Sequence, residues 1–110
     1  MKTIKIASDY SDTPLGRYSA DSEFNGERFR EEFLLPSLSS EERITVNLDD
    51  VEGYGSSFLD EAFGGLVRMG HFDAAQLHKK LSIECRDPDY AMYRDLIWKY
   101  IDEAIPTPQK

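Results

Sequence analysis

The sequence predicts an α/β domain in which helices pack on a small mixed or parallel sheet. Two observations carry this. Strand-like and helix-like stretches alternate in the order strand, loop, helix, strand, helix, strand, helix. Short runs such as Thr3 to Ala7 and Ile44 to Leu48 place apolar residues at every second position, the period of a half-buried strand. With 110 residues, of which 40% are hydrophobic, the chain has material for one core and reads as one domain over 1–110.

The elements follow in order. Ile4 and Ile6 alternate with Thr3 and Lys5 in the first strand, and Ser8 to Ser22, with Pro14 and Gly16, has loop chemistry. Phe24, Phe29, Phe33, Leu34 and Leu38 recur near helical spacing, so a helix starts around Asn25 or Gly26 and Pro36 should end or kink it. Ile44, Val46 and Leu48 mark one face of the second strand. Phe58, Leu59, Ala62, Phe63, Leu66 and Val67 then form a broad apolar stripe closed by Gly70. Phe72 to Lys80 supplies one or two helical turns before a strand from Leu81 to Cys85. The last helix opens on Asp87 and Pro88, carries Met92, Tyr93, Leu96, Ile97, Tyr100, Ile101 and Ala104, and stops at Pro106 and Pro108, leaving 105–110 as a frayed tail.

Charge narrows the function classes. The formal net charge is −8, which argues against the Lys/Arg clustering that nucleic-acid binding needs. No window approaches the ~18 apolar residues of a membrane span, and Met1 to Ala7 lacks the apolar centre of a signal peptide, so a cytoplasmic location is expected. A single cysteine, Cys85, excludes an intramolecular disulfide and reads as a packing residue. His71, Asp73 and His78 form no compact ligand set. Asp49, Asp50, Glu52, Asp60 and Glu61 crowd one segment without the spacing of a calcium loop. No Walker motif, dinucleotide fingerprint or Gly-x-Ser-x-Gly elbow is present. Neither a cofactor nor a resident metal is expected, and the chain reads as a non-enzyme.

Functional interest centres on 44–69, a strand, a loop carrying Gly53 and Gly55, and a helix opening on Ser56 and Ser57. That order places hydroxyls and free N–H groups together where the helix dipole favours negative charge. Ser57 fits an N-cap, worth roughly 1 kcal/mol, with Asp60 at N3 and Glu61 just beyond; the same position suits a phosphate seat or a phosphoacceptor. Asp60 and Glu61 would repel an added phosphoryl group, so modification would break a docking surface rather than tighten the helix. Gly64 and Gly65 each cost about 1 kcal/mol in mid-helix relative to alanine, which implies close approach of the protein's own sheet or of a partner. Arg17, Arg28 and Arg30 either gather at the serine loop to bind an anion or pair with Glu27, Glu31 and Glu32.

The run Asp49-Asp50-Val51-Glu52-Gly53-Tyr54-Gly55-Ser56-Ser57-Phe58-Leu59 resembles the switch segment of STAS domains, the fold of anti-sigma-factor antagonists and sulfate-transporter tails. The chain is more closely similar to a STAS-like family of bacterial domains of unknown function. That likeness runs through Gly16-Arg17-Tyr18, Asn25 to Arg30, and the block from Gly55 to Leu66. The resemblance implies a mixed sheet of about four strands with helices packed on it. It implies a regulatory, signalling protein-interaction domain, switched by phosphorylation of Ser57 by a histidine-kinase-like ATPase or anti-sigma-type kinase. Gly55 stands where those antagonists carry an acid, and Phe58 where they carry a glycine. The expected phosphoacceptor or anion site comprises Ser57, Ser56, Gly55, Gly53 and Arg17. The expected partner surface comprises Tyr54, Phe58, Asp60, Glu61, Gly64 and Gly65. An alternative reading is a small-ligand or nucleotide-phosphate module using the same helix start and Arg17. A third is an oligomeric adaptor burying Tyr90, Tyr93, Trp98 and Tyr100 against a second copy.

Overall fold

The computed structural model describes residues 2–107. Three strands, β1 (Lys2–Lys5), β2 (Ile44–Asn47) and β3 (Leu81–Glu84), lie in the order β1-β2-β3 and pair in parallel, with Ile4 opposite Val46 and Val46 opposite Ile83. The expected count of about four strands is therefore corrected to three among the described residues, and the sheet is parallel rather than mixed. Each strand is followed by helical chain before the next begins, and such a crossover returns the chain in the same direction.

β1 stops two residues earlier than its alternation suggests. Asp9 accepts the Lys5 backbone N–H at 2.7 Å, and Ile6–Tyr10 forms one π-helical turn closed by Ser11 N–H donating to the Ile6 carbonyl at 2.8 Å. The first long helix, α1, covers 26–40 as an α-helical segment Gly26–Phe29, a π-helical segment Arg30–Leu34 and an α-helical segment Leu35–Ser40. Asn25 caps it by accepting the Arg28 N–H at 2.9 Å. Pro36 does not end this helix. The wide turn before it, in which Leu35 N–H reaches back to the Arg30 carbonyl, relieves the packing of a proline ring against the preceding turn.

The second helix, α2, covers 56–68 and repeats that construction, with a π-helical segment Asp60–Gly64 between α-helical ends. Gly70, at φ 77°, closes it as expected. Gly70 N–H donates to Val67 and His71 N–H to Leu66, the paired bonds of a Schellman ending. Helix α3 (Ala74–Lys80) opens on a reciprocal capping box between Asp73 and Gln76. Helix α4 (Ala91–Glu103) follows a 3-10 turn, Pro88–Tyr90, capped by Asp87. The tail is tied down as far as it is described, since Thr107 N–H donates to the Arg68 carbonyl at 2.8 Å; 108–110 lie outside the described residues.

The strand alternation gives the sheet two unlike faces. Ile4, Ile44, Val46 and Leu81 point into a core completed by Phe29, Leu34, Phe58, Phe63, Leu66, Ile97 and Ile101, all buried. The opposite face carries Thr3, Lys5, Thr45, Asn47, Ser82 and Glu84. Parallel sheets are normally apolar and covered on both sides, so this polar face is an anomaly that bears on ligand binding below. The aromatic residues of α4 serve its own fold, with Tyr93 against Tyr54 at 5.1 Å and Trp98 stacked on His78 at 4.4 Å.

Candidate functional site

The segment between β2 and α2 is held from within. The Tyr54 hydroxyl donates to the Leu48 carbonyl at 2.8 Å, and the Tyr90 hydroxyl donates to the Val51 carbonyl at 2.5 Å. Burial pushes the Tyr54 hydroxyl well above the ordinary phenol range, so it stays a donor. With Tyr54 fixed inward, Gly55 emerges in extended backbone (φ −76°, ψ 146°) and occupies the N-cap position.

Ser57 is therefore not the N-cap. The helix starts two residues earlier than that cap assignment expects, with Ser56 and Ser57 as its first two residues, both exposed, and without a side-chain cap bond. Asp60 accordingly lies beyond N3. Of the other residues expected at a partner surface, Tyr54, Phe58, Glu61, Gly64 and Gly65 are buried.

Asp60 and Glu61 anchor an arginine cluster. Arg17 Nη1 meets Asp60 Oδ2 at 2.7 Å and Arg68 Nη1 meets Asp60 Oδ1 at 2.9 Å. Arg30, fully buried, donates through Nη1 to the Glu61 carboxylate at 2.7 Å and to the Glu61 carbonyl at 2.5 Å. Arg17 and Arg68 also lie 3.6 and 3.7 Å from Glu61 Oε1. Burial raises the Asp60 carboxyl's proton affinity, but hydrogen bonds from Arg17 and Arg68 outweigh it and hold the group below the usual carboxylate range. Arg17 rises correspondingly through its bond to Asp60.

Arg17 and Arg30 thus pair with acids, but across the fold rather than with Glu27, while Arg30 also reaches Glu31 at 3.0 Å and Arg28 pairs with Glu32 at 3.3 Å. Gly65 is explained by this cluster. A Cβ there would run into the Arg30 guanidinium, and one at Gly26 would meet the Phe58 carbonyl at 2.7 Å, so small residues let α1 and α2 close on each other. The close approach is helix on helix, not helix on sheet.

Ser57 and Arg17 come together. With Leu15, Gly16 and Asp21 they line an open cleft of about 490 Å³ beside the start of α2. The loop is shaped by Gly16 at φ 80° and by Asp21, whose carboxylate accepts the Arg17 and Tyr18 backbone N–H groups at 3.0 and 3.1 Å. Leu15 and Tyr18, on either side of Arg17, are about half exposed at 57% and 48%. Sequence reasoning missed these two, and it missed Arg68, whose only signal is its eight-residue spacing from Asp60.

It also missed a second polar centre at the carboxyl ends of the strands. Asp49, buried at 8%, accepts the Arg86 N–H at 2.9 Å, the Asp87 N–H at 3.1 Å and the Asn47 amide at 3.3 Å. The chain segments after β2 and β3 are clasped together there. Burial works against the charge, yet the backbone bonds win and Asp49 sits below the usual carboxylate range. His71 and His78 pair with Glu31 at 3.9 Å and Asp102 at 2.7 Å, and no group of metal-ligating side chains forms among the described residues.

Three parallel strands, helix crossovers and a strand-to-helix segment opening on exposed serines describe a small α/β domain. A family model for the STAS-like domain of unknown function (DUF4325) matches residues 25–90, and the chain belongs to that family. No curated protein and no solved structure matches the chain. Among the described residues, no helix is long and apolar enough to cross a membrane.

Proposed function

We propose that the domain is a cytoplasmic, non-enzymatic regulatory module that binds another protein through the start of α2 and the adjoining 15–21 loop. A phosphoryl group on Ser57 switches the contact. The partner is an ATPase or kinase of the histidine-kinase-like, anti-sigma type. The observation that carries this is the open cleft in which exposed Ser57 lies beside Arg17, flanked by exposed Leu15 and Tyr18. Exposed apolar side chains beside a modifiable hydroxyl suit a partner surface.

The charge argument from sequence changes sign here. Asp60 and Glu61 do not confront a phosphoryl group bare, because Arg17, Arg30 and Arg68 already offset them. Only Nη1 of Arg17 is engaged among the described residues. Its remaining donors suit a phosphate in the shared cleft, with the two-point geometry that guanidinium favours.

The test is a pull-down from the native cell with wild type, Ser57→Ala and Ser57→Asp, read with intact mass. The expected result is a partner lost with Ser57→Asp and an ~80 Da adduct absent from Ser57→Ala, as a phosphoserine switch requires. Identical partners for all three and no adduct would overturn the switch. Retention of every partner after Leu15→Asp and Tyr18→Asp would overturn the surface.

A further inference from the structure

The polar face of the sheet ends in a cleft that the serine site does not use. It has a volume of about 480 Å³ and is lined by Thr3 and Lys5 of β1, Asn47 of β2, Asp49, Asp50, Arg86, Asp87 and Tyr90. It opens at the carboxyl ends of all three parallel strands. Its floor is fixed by the Asp49 clasp, and its Tyr90 wall by the hydroxyl bond to Val51. Asp50 holds a left-handed backbone, φ 69°, the one non-glycine residue to do so among the described residues. Backbone of that kind persists where the surroundings impose it, and it concentrates at binding sites.

The donor balance decides the ligand's sign. Three carboxylates line the cleft, but two are occupied. Asp49 is filled by its three donors, and Asp50 holds Lys5 Nζ at 2.8 Å. Asp87 uses one oxygen to cap the Asp89 N–H at 2.9 Å. Against these, the Arg86 guanidinium has no ion pair or hydrogen bond among the described residues, and Lys5 has spare N–H groups. The bond to Asp50 raises the Lys5 ammonium above its ordinary range, so it remains a cation lining the same cleft as Arg86.

We infer that this cleft binds a phosphate monoester of a hydroxylated sugar. The phosphate sits between Arg86 and Lys5, a sugar hydroxyl donates to the open oxygen of Asp87, and any attached planar ring lies against Tyr90. Guanidinium and ammonium together favour phosphate. The volume falls within the range of small-ligand sites.

The test is an NMR titration of the ¹⁵N-labelled chain with ribose 5-phosphate, a nucleoside 5′-monophosphate and inorganic phosphate, with sulfate as the ionic-strength control. Saturable shifts at Lys5, Asn47, Asp50 and Arg86 are expected with both esters, stronger than with either inorganic anion. Tighter binding of the nucleotide would place its base on Tyr90, whereas equal binding would confine recognition to the sugar phosphate. Arg86→Ala should weaken binding at least tenfold while keeping the fold, because Asp49 holds the backbone of residue 86 and not its side chain. Arg43→Ala, before β2 at the opposite end of the sheet, should leave binding unchanged. Shifts that match those of sulfate, or that survive Arg86→Ala, would overturn the assignment. Since Ser57 and Arg17 take no part, the outcome is independent of any phosphorylation switch.

Discussion

Single carboxylates do much of the local organisation, and Asp49 is the clearest case. Three donors converge on it from the end of β2 and from the segment after β3. Asp49→Ala removes the carboxylate that accepts from Asn47 and from the part-buried Arg86 and Asp87 N–H groups, and should cost about 1–3 kcal/mol, read from urea unfolding. The pH dependence has a definite sign. The folded carboxyls of Asp49 and Asp60 lie below their unfolded value, near 3.9. Each therefore contributes stability that is fully present at neutral pH and is lost as pH falls below about 4 through the folded value. Stability against pH should fall off on the acid limb, and Asp49→Asn should flatten that limb while lowering the neutral plateau. An unchanged acid limb in Asp49→Asn would refute the clasp. The residue type was visible in Asn-Leu-Asp-Asp, but its partners lie 37 and 38 positions away, a distance no local pattern reports.

At the scale of elements, the alternation of strand and helix was legible because each element carries its own period and punctuation. Asn25, Asp87 and Gly70 act at the ends where their chemistry suggested, while the Asp73 capping box was not read from the sequence. The end of β1 and two further boundaries were not legible. Pro36 lies inside α1 because a π-helical turn precedes it, and Ser57 is not the cap because buried Tyr54 sets where the loop emerges. The packing of α1 on α2 separates the two adjacent glycines. Alanine gains about 1 kcal/mol of helix propensity at either position. At Gly64 the new methyl meets the ends of the Asp60 and Arg68 side chains and makes ordinary contact with Tyr100 Cβ at 3.5 Å, so Gly64→Ala should stay within about 1 kcal/mol of wild type. At Gly65 it meets Arg30, which is buried and held by Glu61 and cannot withdraw, so Gly65→Ala should lose about 1–3 kcal/mol. Urea midpoints at constant slope compare them, and equal midpoints would show that Arg30 yields.

For the whole molecule, the family match and the folding unit differ in extent. Residues 25–90 contain β2, β3 and three helices but neither β1 nor α4. Ile4 and Ile6 are buried beside β2, and Ile97 and Ile101 of α4 are buried in the same core. A 25–90 fragment would expose the core on two sides, and a chain of that size has little stability to spare. It should show no cooperative thermal transition by circular dichroism, whereas 2–107 should melt in one step. A cooperative melt of the fragment would show that the flanking elements are ornaments. The polar sheet face was written in Thr3, Lys5, Thr45 and Asn47, since strict alternation already announces one wet side. What the alternation could not convey is that the strand ends converge there with Arg86 and Tyr90.

The guanidinium of Arg30 fills the room that a side chain at position 65 would need, and Glu61 neutralises it in the interior. Sequence drift at these three positions is consequently correlated. Arg30→Met alone leaves the buried Glu61 carboxylate only the more distant Arg17 and Arg68, Glu61→Leu alone leaves the buried Arg30 only Glu31, and Gly65→Ala alone collides, so each single step is penalised. Changed together, the three become an ordinary apolar helix contact with better helix propensity. A library varying one position at a time would score all three as intolerant, while one varying them jointly would recover the combination, which makes the trio a unit of inheritance rather than three separate residues.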